Sequence, residues 1–140
     1  LKNGVVHRDA TVISISIGIN DVWRQLDHLD APVYIDEFEE TYREMLDKIR
    51  KNTDARLILM ETSVVGEDIQ SEGNRLLVPY NACIHRLAKE YNALLVPINQ
   101  AFKKHIEKAP EFKLTIDGVH LSSLGKTLFA VTWLEAIGYQ

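Results

Sequence analysis

TVISISIGIND, residues 11–21, decides the fold. In its first part, Thr11 to Ile17, the side chains of Ile13, Ile15 and Ile17 point one way and those of Val12, Ser14 and Ser16 the other, which is the two-residue period of a strand. Small serines on the second face leave room for a helix to pack closely. The polar run Gly18-Ile19-Asn20-Asp21 then stops the strand. Two similar runs follow, Leu57 to Met60 extended by Arg56 and Leu94 to Ile98, both short and bulky as buried parallel strands are. Between and after them lie helix patterns. From Asp36 to Lys51 the residues Phe38, Tyr42, Leu46 and Ile49 recur on one side, with acids at the start and Lys48, Arg50 and Lys51 at the end, the order the helix dipole favours. A second helix is expected over Asn74–Tyr91 with Leu77, Tyr80, Ile84, Leu87 and Tyr91 as its stripe and Cys83 beside it. A third follows Asn99, and a fourth runs from Ser123 to Ala136 before Gly138. Strand alternating with helix predicts an α/β fold, a three-layer α/β/α arrangement around a parallel sheet with right-handed crossovers.

Composition sets the outer limits. The 140 residues suit one domain, and 46% hydrophobic content with 7 Gly and 4 Pro supplies a real core. Sixteen Lys and Arg against 20 Asp and Glu give a net charge of -4 with no long run of one sign, so nucleic acid is not an expected partner. Apolar stretches fall well short of the about 20 residues a membrane span needs. The single cysteine, Cys83, has no disulfide companion, which leans toward a reducing, cytoplasmic setting. Leu1 opens the chain without a signal-peptide pattern and reads as an internal cut. His7, His28, His85 and His105 are scattered, so no metal site is expected, and no phosphate or dinucleotide glycine motif occurs.

Ligands of an open parallel sheet bind beyond the carboxyl ends of its strands. There the sequence gathers Gly18-Ile19-Asn20-Asp21, Glu61-Thr62-Ser63 and Asn99-Gln100, with Asp117-Gly118-Val119-His120 before the last helix. The Asn20 amide suits an oxyanion donor, and it equally suits a turn or a helix cap. Asp117 stands three residues before His120, a spacing that lets the carboxylate accept the imidazole Nδ1–H and leave Nε2 as a base. Asp-Gly is also an ordinary turn pair, and Ser122 or Ser123 an ordinary cap.

GINDVW after a buried strand and DGVHLSSLG before the terminal helix, taken together, resemble two signature blocks of the SGNH hydrolase superfamily, the GDSL-type esterases and lipases. The likeness runs from about Val12 to Gly138, through LILMETSVVG and YNACIHRLAKEYNALLVPI, and is nearest to the small bacterial acylhydrolases and acetylesterases. It implies a flavodoxin-like sheet of which residues 1–140 form the carboxyl-terminal part, three strands with their helices, within a single hydrolase domain. It also implies an ester substrate, no cofactor, Asn20 in the oxyanion hole, His120 as general base and Asp117 as its orienting partner. Gly18 would shape the turn presenting Asn20, Asp21 would brace it, and Trp23 would wall the acyl or alcohol pocket.

The departure from that pattern is the nucleophile. Superfamily members carry a Gly-Asp-Ser block after their first strand and a glycine amide donor after their second, and neither is found here. Ser63, Ser122 and Ser123 stand in other contexts. The expectation is therefore an esterase whose serine lies upstream of Leu1, inactive as residues 1–140 alone, with self-association or retention of an amino-terminal segment along the exposed strand edge. The alternative is a degenerate α/β binding domain that has kept a pocket and lost the chemistry. A receiver-like or nucleotide-binding domain lacks its acidic cluster or phosphate loop.

Overall fold

A computed structural model describes residues 9–27 and 32–139. Three parallel strands, β1 (Val12–Ile15), β2 (Arg56–Met60) and β3 (Leu94–Val96), lie in sequential order, with Ile13 beside Leu57 and Leu59 beside Leu95. Among the described residues five helices accompany them: α1 (Ile19–Asp27), α2 (Ile35–Asn52), α3 (Glu72–Glu90), α4 (Ile98–Lys108) and α5 (Ser123–Ala136). The expected α/β arrangement is present.

Each sheet face has its own core. Ile13, Ile15, Leu57 and Leu59 face the buried stripes of α2 and α3, where Phe38, Tyr42, Leu46 and Ile49 meet Leu77, Tyr80, Ile84 and Leu87. Every such large side chain contributes about 1.5–3 kcal/mol by leaving water. Ile58, Met60 and Val96 face the other way, against Phe102 and Ile106 of α4 and the partly buried Leu128, Phe129 and Trp133 of α5. The two clusters make the helix layers on either side of the sheet.

Three details differ from the sequence reading. The first strand ends at Ile15 rather than Ile17, and the third at Val96, since Pro97 stands just before α4 and Ile98 is already helical. α1 was not expected at all. Gly18, at φ +112°, turns the chain straight from strand to helix, and Ile19, Val22, Trp23 and Leu26 of INDVWRQLD do share one helix face, a short pattern that the sequence reading took for the polar end of the strand. The serine face of β1 does receive a helix, although by one contact: Trp133 Nε1 of α5 donates to Ser14 Oγ at 3.1 Å. Val12 on that face remains 48% exposed.

Loop ends are sealed by polar side chains. α4 has no cap of its own at Pro97, and Glu61, buried at the end of β2, accepts the Gln100 backbone N–H at 3.2 Å and its Nε2 at 2.9 Å. His85 reaches the same carboxylate at 2.5 Å, which places it at a core edge. Asn81 Oδ1 accepts the Thr62 N–H at 2.9 Å. Buried polar groups at these strand ends are thus paired, as burial requires.

Candidate active site

The last loop before α5 is a short hairpin. Thr115 and Leu121 form an antiparallel bridge, and Ile116 N donates to the His120 carbonyl at 2.8 Å. At its tip Gly118 adopts φ +98°, a conformation that favours glycine. The turn places Asp117 under three N–H groups. Its Oδ1 accepts the backbone N–H of Val119 at 3.0 Å and of His120 at 2.8 Å, while Oδ2 accepts the His120 Nδ1–H at 2.7 Å. Those donors, the His120 backbone N–H foremost and then its ring, hold the Asp117 carboxyl well below the usual carboxylate range. His120 Nε2 makes no hydrogen bond among the described residues.

Gly18 and Asn20 follow the carboxyl end of β1. A Cβ on Gly18 would come within 3.1 Å of Thr62 and 3.3 Å of Phe38, so close approach as well as backbone angle calls for glycine there. Asn20 falls in the first turn of α1, exposed and without a side-chain hydrogen bond among the described residues. The turn-or-cap alternative for its side chain therefore finds no bond to support it. Trp23 follows it by three positions on α1, hence on the same side of the helix. Asp21 is half-buried, and desolvation raises its carboxyl above the ordinary value despite Arg24 nearby.

Trp23 and Asp117 share a cleft. It has a volume of 320 Å³ and is walled by Trp23 and Leu26 of α1, Val65 and Gly73 beyond β2, and Asp117 and Val119 of the hairpin. Larger hollows of 480 and 490 Å³ run along α5, away from any Asp–His pair, so size alone does not mark the site. Among the described residues no group of three or more His, Cys, Asp or Glu is placed to hold a metal ion, and no helix is long and apolar enough to cross a membrane. His7 and His28 lie outside the described residues.

The profile of the GDSL-like Lipase/Acylhydrolase family matches residues 3–128. The chain belongs to this family. An acetylxylan esterase from Geobacillus stearothermophilus is 32% identical over 142 residues, which cover 99% of this chain and 64% of the relative. A crystal structure of an acetylxylan esterase from that organism superposes with a TM-score of 0.89 at 31% identity, over 99% of this chain and 64% of that one. Mutants of it described as catalytic alter a serine, an aspartate, and a histidine three positions after the aspartate. An alpha/beta hydrolase from the metagenome of Lake Arreo, Spain, gives a TM-score of 0.88 at 26% identity, over 98% of this chain and 64% of that one.

Within this member of the GDSL-like family one serine near the hairpin is otherwise engaged. Ser122 Oγ accepts the Gly125 N–H at 3.1 Å and donates to the Lys113 carbonyl at 2.9 Å, so it caps α5. Ser63 is buried at the end of β2, and Ser123 opens α5. None of them is hydrogen-bonded to His120. Sequence reasoning counted the loop after β2 in the family likeness but gave Gly66 and Glu67 no role; there Gly66 N donates to the Gly118 carbonyl at 2.7 Å and Glu67 holds the hairpin stem. Its one signal was Gly66-Glu67 standing between a strand and a helix, which many solvent loops share.

Proposed function

We propose that residues 1–140 are the carboxyl-terminal part of a single SGNH-type hydrolase domain that cleaves small O-acyl esters, with acetylated saccharides as the substrate class suggested by the esterase relative. The observation that carries this is the 2.7 Å bond between His120 Nδ1 and Asp117 Oδ2 with Nε2 left unbonded, the state of a general base held ready. Serine Oγ, contributed from outside the present numbering, attacks the ester carbonyl carbon while His120 Nε2 takes its proton. Asn20 Nδ2 donates to the tetrahedral oxyanion. Collapse breaks the carbon–oxygen bond, His120 returns the proton to the leaving alcohol, and water repeats the cycle on the acyl-serine. Asp117 steadies the imidazolium, Gly18 shapes the start of α1 beneath Asn20, and the cleft behind Trp23 receives part of the substrate.

The reading also assigns a place to the nucleophile-bearing segment. Among the described residues β1 pairs only with β2, and Val12 on its outer side stands 48% exposed. Such an edge accepts a further parallel strand and a helix over the serine face of β1. A fluorophosphonate probe tests the whole proposal. Residues 1–140 alone should stay unlabelled, and the same chain joined to a Gly-Asp-Ser segment should label at that segment's serine and hydrolyse p-nitrophenyl acetate. Stoichiometric labelling of Ser63, Ser122 or Ser123 in the isolated chain would overturn the assignment. An inert joined chain that still binds sugars in the cleft would favour a binding domain instead.

A further inference from the structure

The Asp117–His120 pair poses a mechanical problem. Its own side chains are 51% and 72% exposed, so beyond the packing of the neighbouring Val119 and Leu121 the placing of His120 depends on polar contacts. Bonds inside the hairpin settle the geometry of the pair but not its position over the sheet. Position has to come from contacts that tie the hairpin to the body of the protein, and one carboxylate supplies three of the hydrogen bonds among them.

That carboxylate is Glu67, seven residues beyond the end of β2. Its Oε1 accepts the backbone N–H of Leu114 at 3.1 Å, the backbone N–H of Thr115 at 2.8 Å and the Thr115 hydroxyl at 2.7 Å. Leu114 and Thr115 are buried, so these donors would otherwise be orphaned at a cost. Hydrogen bonds to a charged acceptor are the stronger kind. At the other end of the hairpin, Gly66 N donates to Gly118 O at 2.7 Å. Stem and tip are thereby held by adjacent residues of one loop.

The loop itself is stiff. Asn74, buried in the first turns of α3, accepts the Val65 N–H at 3.1 Å and donates through Nδ2 to the carbonyls of Val65 at 2.9 Å and Asp68 at 2.8 Å. The Ser71 hydroxyl caps α3 on the same residue, accepting the Asn74 N–H at 3.3 Å. A chain of contacts therefore runs from α3 through Asn74 and Glu67 to the hairpin and its histidine.

We infer that Glu67 is a positioning residue for the proposed reaction: it never meets substrate, and it sets where His120 is delivered by clamping the hairpin stem at Leu114 and Thr115. This rests on the assignment of Asp117 and His120 as the acid–base pair, and the experiment is built to fail separately from that assignment. Amide hydrogen exchange on residues 1–140 reads the clamp without any catalysis. In Glu67→Ala, exchange at Leu114 and Thr115 should quicken about 10- to 100-fold, the range for losing hydrogen bonds to a charged group, while Leu59, Leu77 and Ile84 in the core keep their rates. Glu67→Gln retains an oxygen at the accepting position and should recover most of the protection. Thr115→Val removes only the hydroxyl arm, is safe for folding, and should loosen the stem less. In the esterase-competent joined chain, Glu67→Ala should lower kcat about 10- to 100-fold with KM nearly constant, and Glu67→Gln should restore it. Exchange unchanged within about twofold at Leu114 and Thr115, or loosening spread evenly through the core, overturns the clamp. Loosened exchange with unchanged kcat, where His120→Ala abolishes activity, overturns the positioning role alone. Activity that survives His120→Ala overturns the functional reading instead.

Discussion

Asp117→Asn separates two jobs that one carboxylate performs. Oδ1 accepts the backbone N–H groups of Val119 and His120, and an asparagine carbonyl accepts both equally well, so the turn should persist. Oδ2 accepts the ring Nδ1–H at 2.7 Å, whereas an asparagine presents an NH₂ group there. Two donors cannot share a hydrogen bond. The imidazole escapes by carrying its proton on Nε2 and accepting at Nδ1, and the nitrogen required as base is then occupied. Because both side chains are more than half exposed, stability should stay within about 0.5 kcal/mol of wild type. Loss of the correct tautomer in a triad costs about 10⁴ in kcat, or about 5 kcal/mol of transition-state stabilisation.

Nitrogen-15 chemical shifts of the His120 ring in residues 1–140 report the tautomer directly, and kcat of the joined chain on p-nitrophenyl acetate reports the consequence. An Nδ1–H tautomer persisting in the variant, or a fall in kcat below about tenfold, would refute the reasoning. The pH dependence follows with its sign. A carboxyl held below its ordinary value contributes order that is complete above that value and is lost only as pH falls through the lower, folded value. The wild-type Nδ1–H signal should thus survive below pH 3.8, the ordinary aspartate value, where an unpaired aspartate would already be protonated.

Three further changes have expected outcomes. Asn20→Ala in the joined chain should lower kcat by about 10²- to 10³-fold with a smaller effect on KM, as loss of one oxyanion donor does; an unchanged kcat would make Asn20 a surface residue of α1. Tyr42→Phe should raise stability by about 1 kcal/mol in urea unfolding, because the Tyr42 hydroxyl is buried with no hydrogen-bond partner among the described residues and desolvation pushes its ionisation upward; a loss would reveal a bond to that hydroxyl. Gly125→Ala puts a Cβ 2.1 Å from the Leu114 carbonyl oxygen, so α5 must shift off the hairpin stem. Overpacking of about 1–3 kcal/mol, or more against backbone, outweighs the about 1 kcal/mol gained in helix propensity, and a more stable variant would contradict the contact.

What was legible in the sequence was what periodicity or short spacing records. Phe38, Tyr42, Leu46 and Ile49 announce α2 because one helix face is buried along its whole length. The Asp117–His120 bond could be anticipated because both residues belong to one turn. α1 escaped notice although Ile19, Val22, Trp23 and Leu26 share one face, because its nine residues carry that pattern for few turns and follow the strand with only Gly18 between. Glu67 escaped for a different reason. Its partners lie 47 and 48 residues away, and nothing in a loop glutamate distinguishes a buried-amide acceptor from a solvated charge. Glu61 is the same case, reading as a polar strand end and acting as the cap of α4.

The anchors of the hairpin also bear on how the proposed site is assembled. Leu114 sits in the α4–α5 core, Thr115 and Gly118 are tied to the loop after β2, and Ser122 and Gly125 join the stem to α5. None of these contacts involves β1 or its free edge. Asn20 and Trp23 depend instead on α1, whose entry is fixed by Gly18 packing against Thr62 and Phe38. The proposed acid, base and oxyanion donor are therefore each positioned by contacts within these 140 residues, with the geometry of Asp117 and His120 set before any strand is added at β1. In the proposed enzyme the arriving serine meets a preorganised base, and the step that creates activity is docking of the nucleophile rather than rearrangement of the pair that activates it.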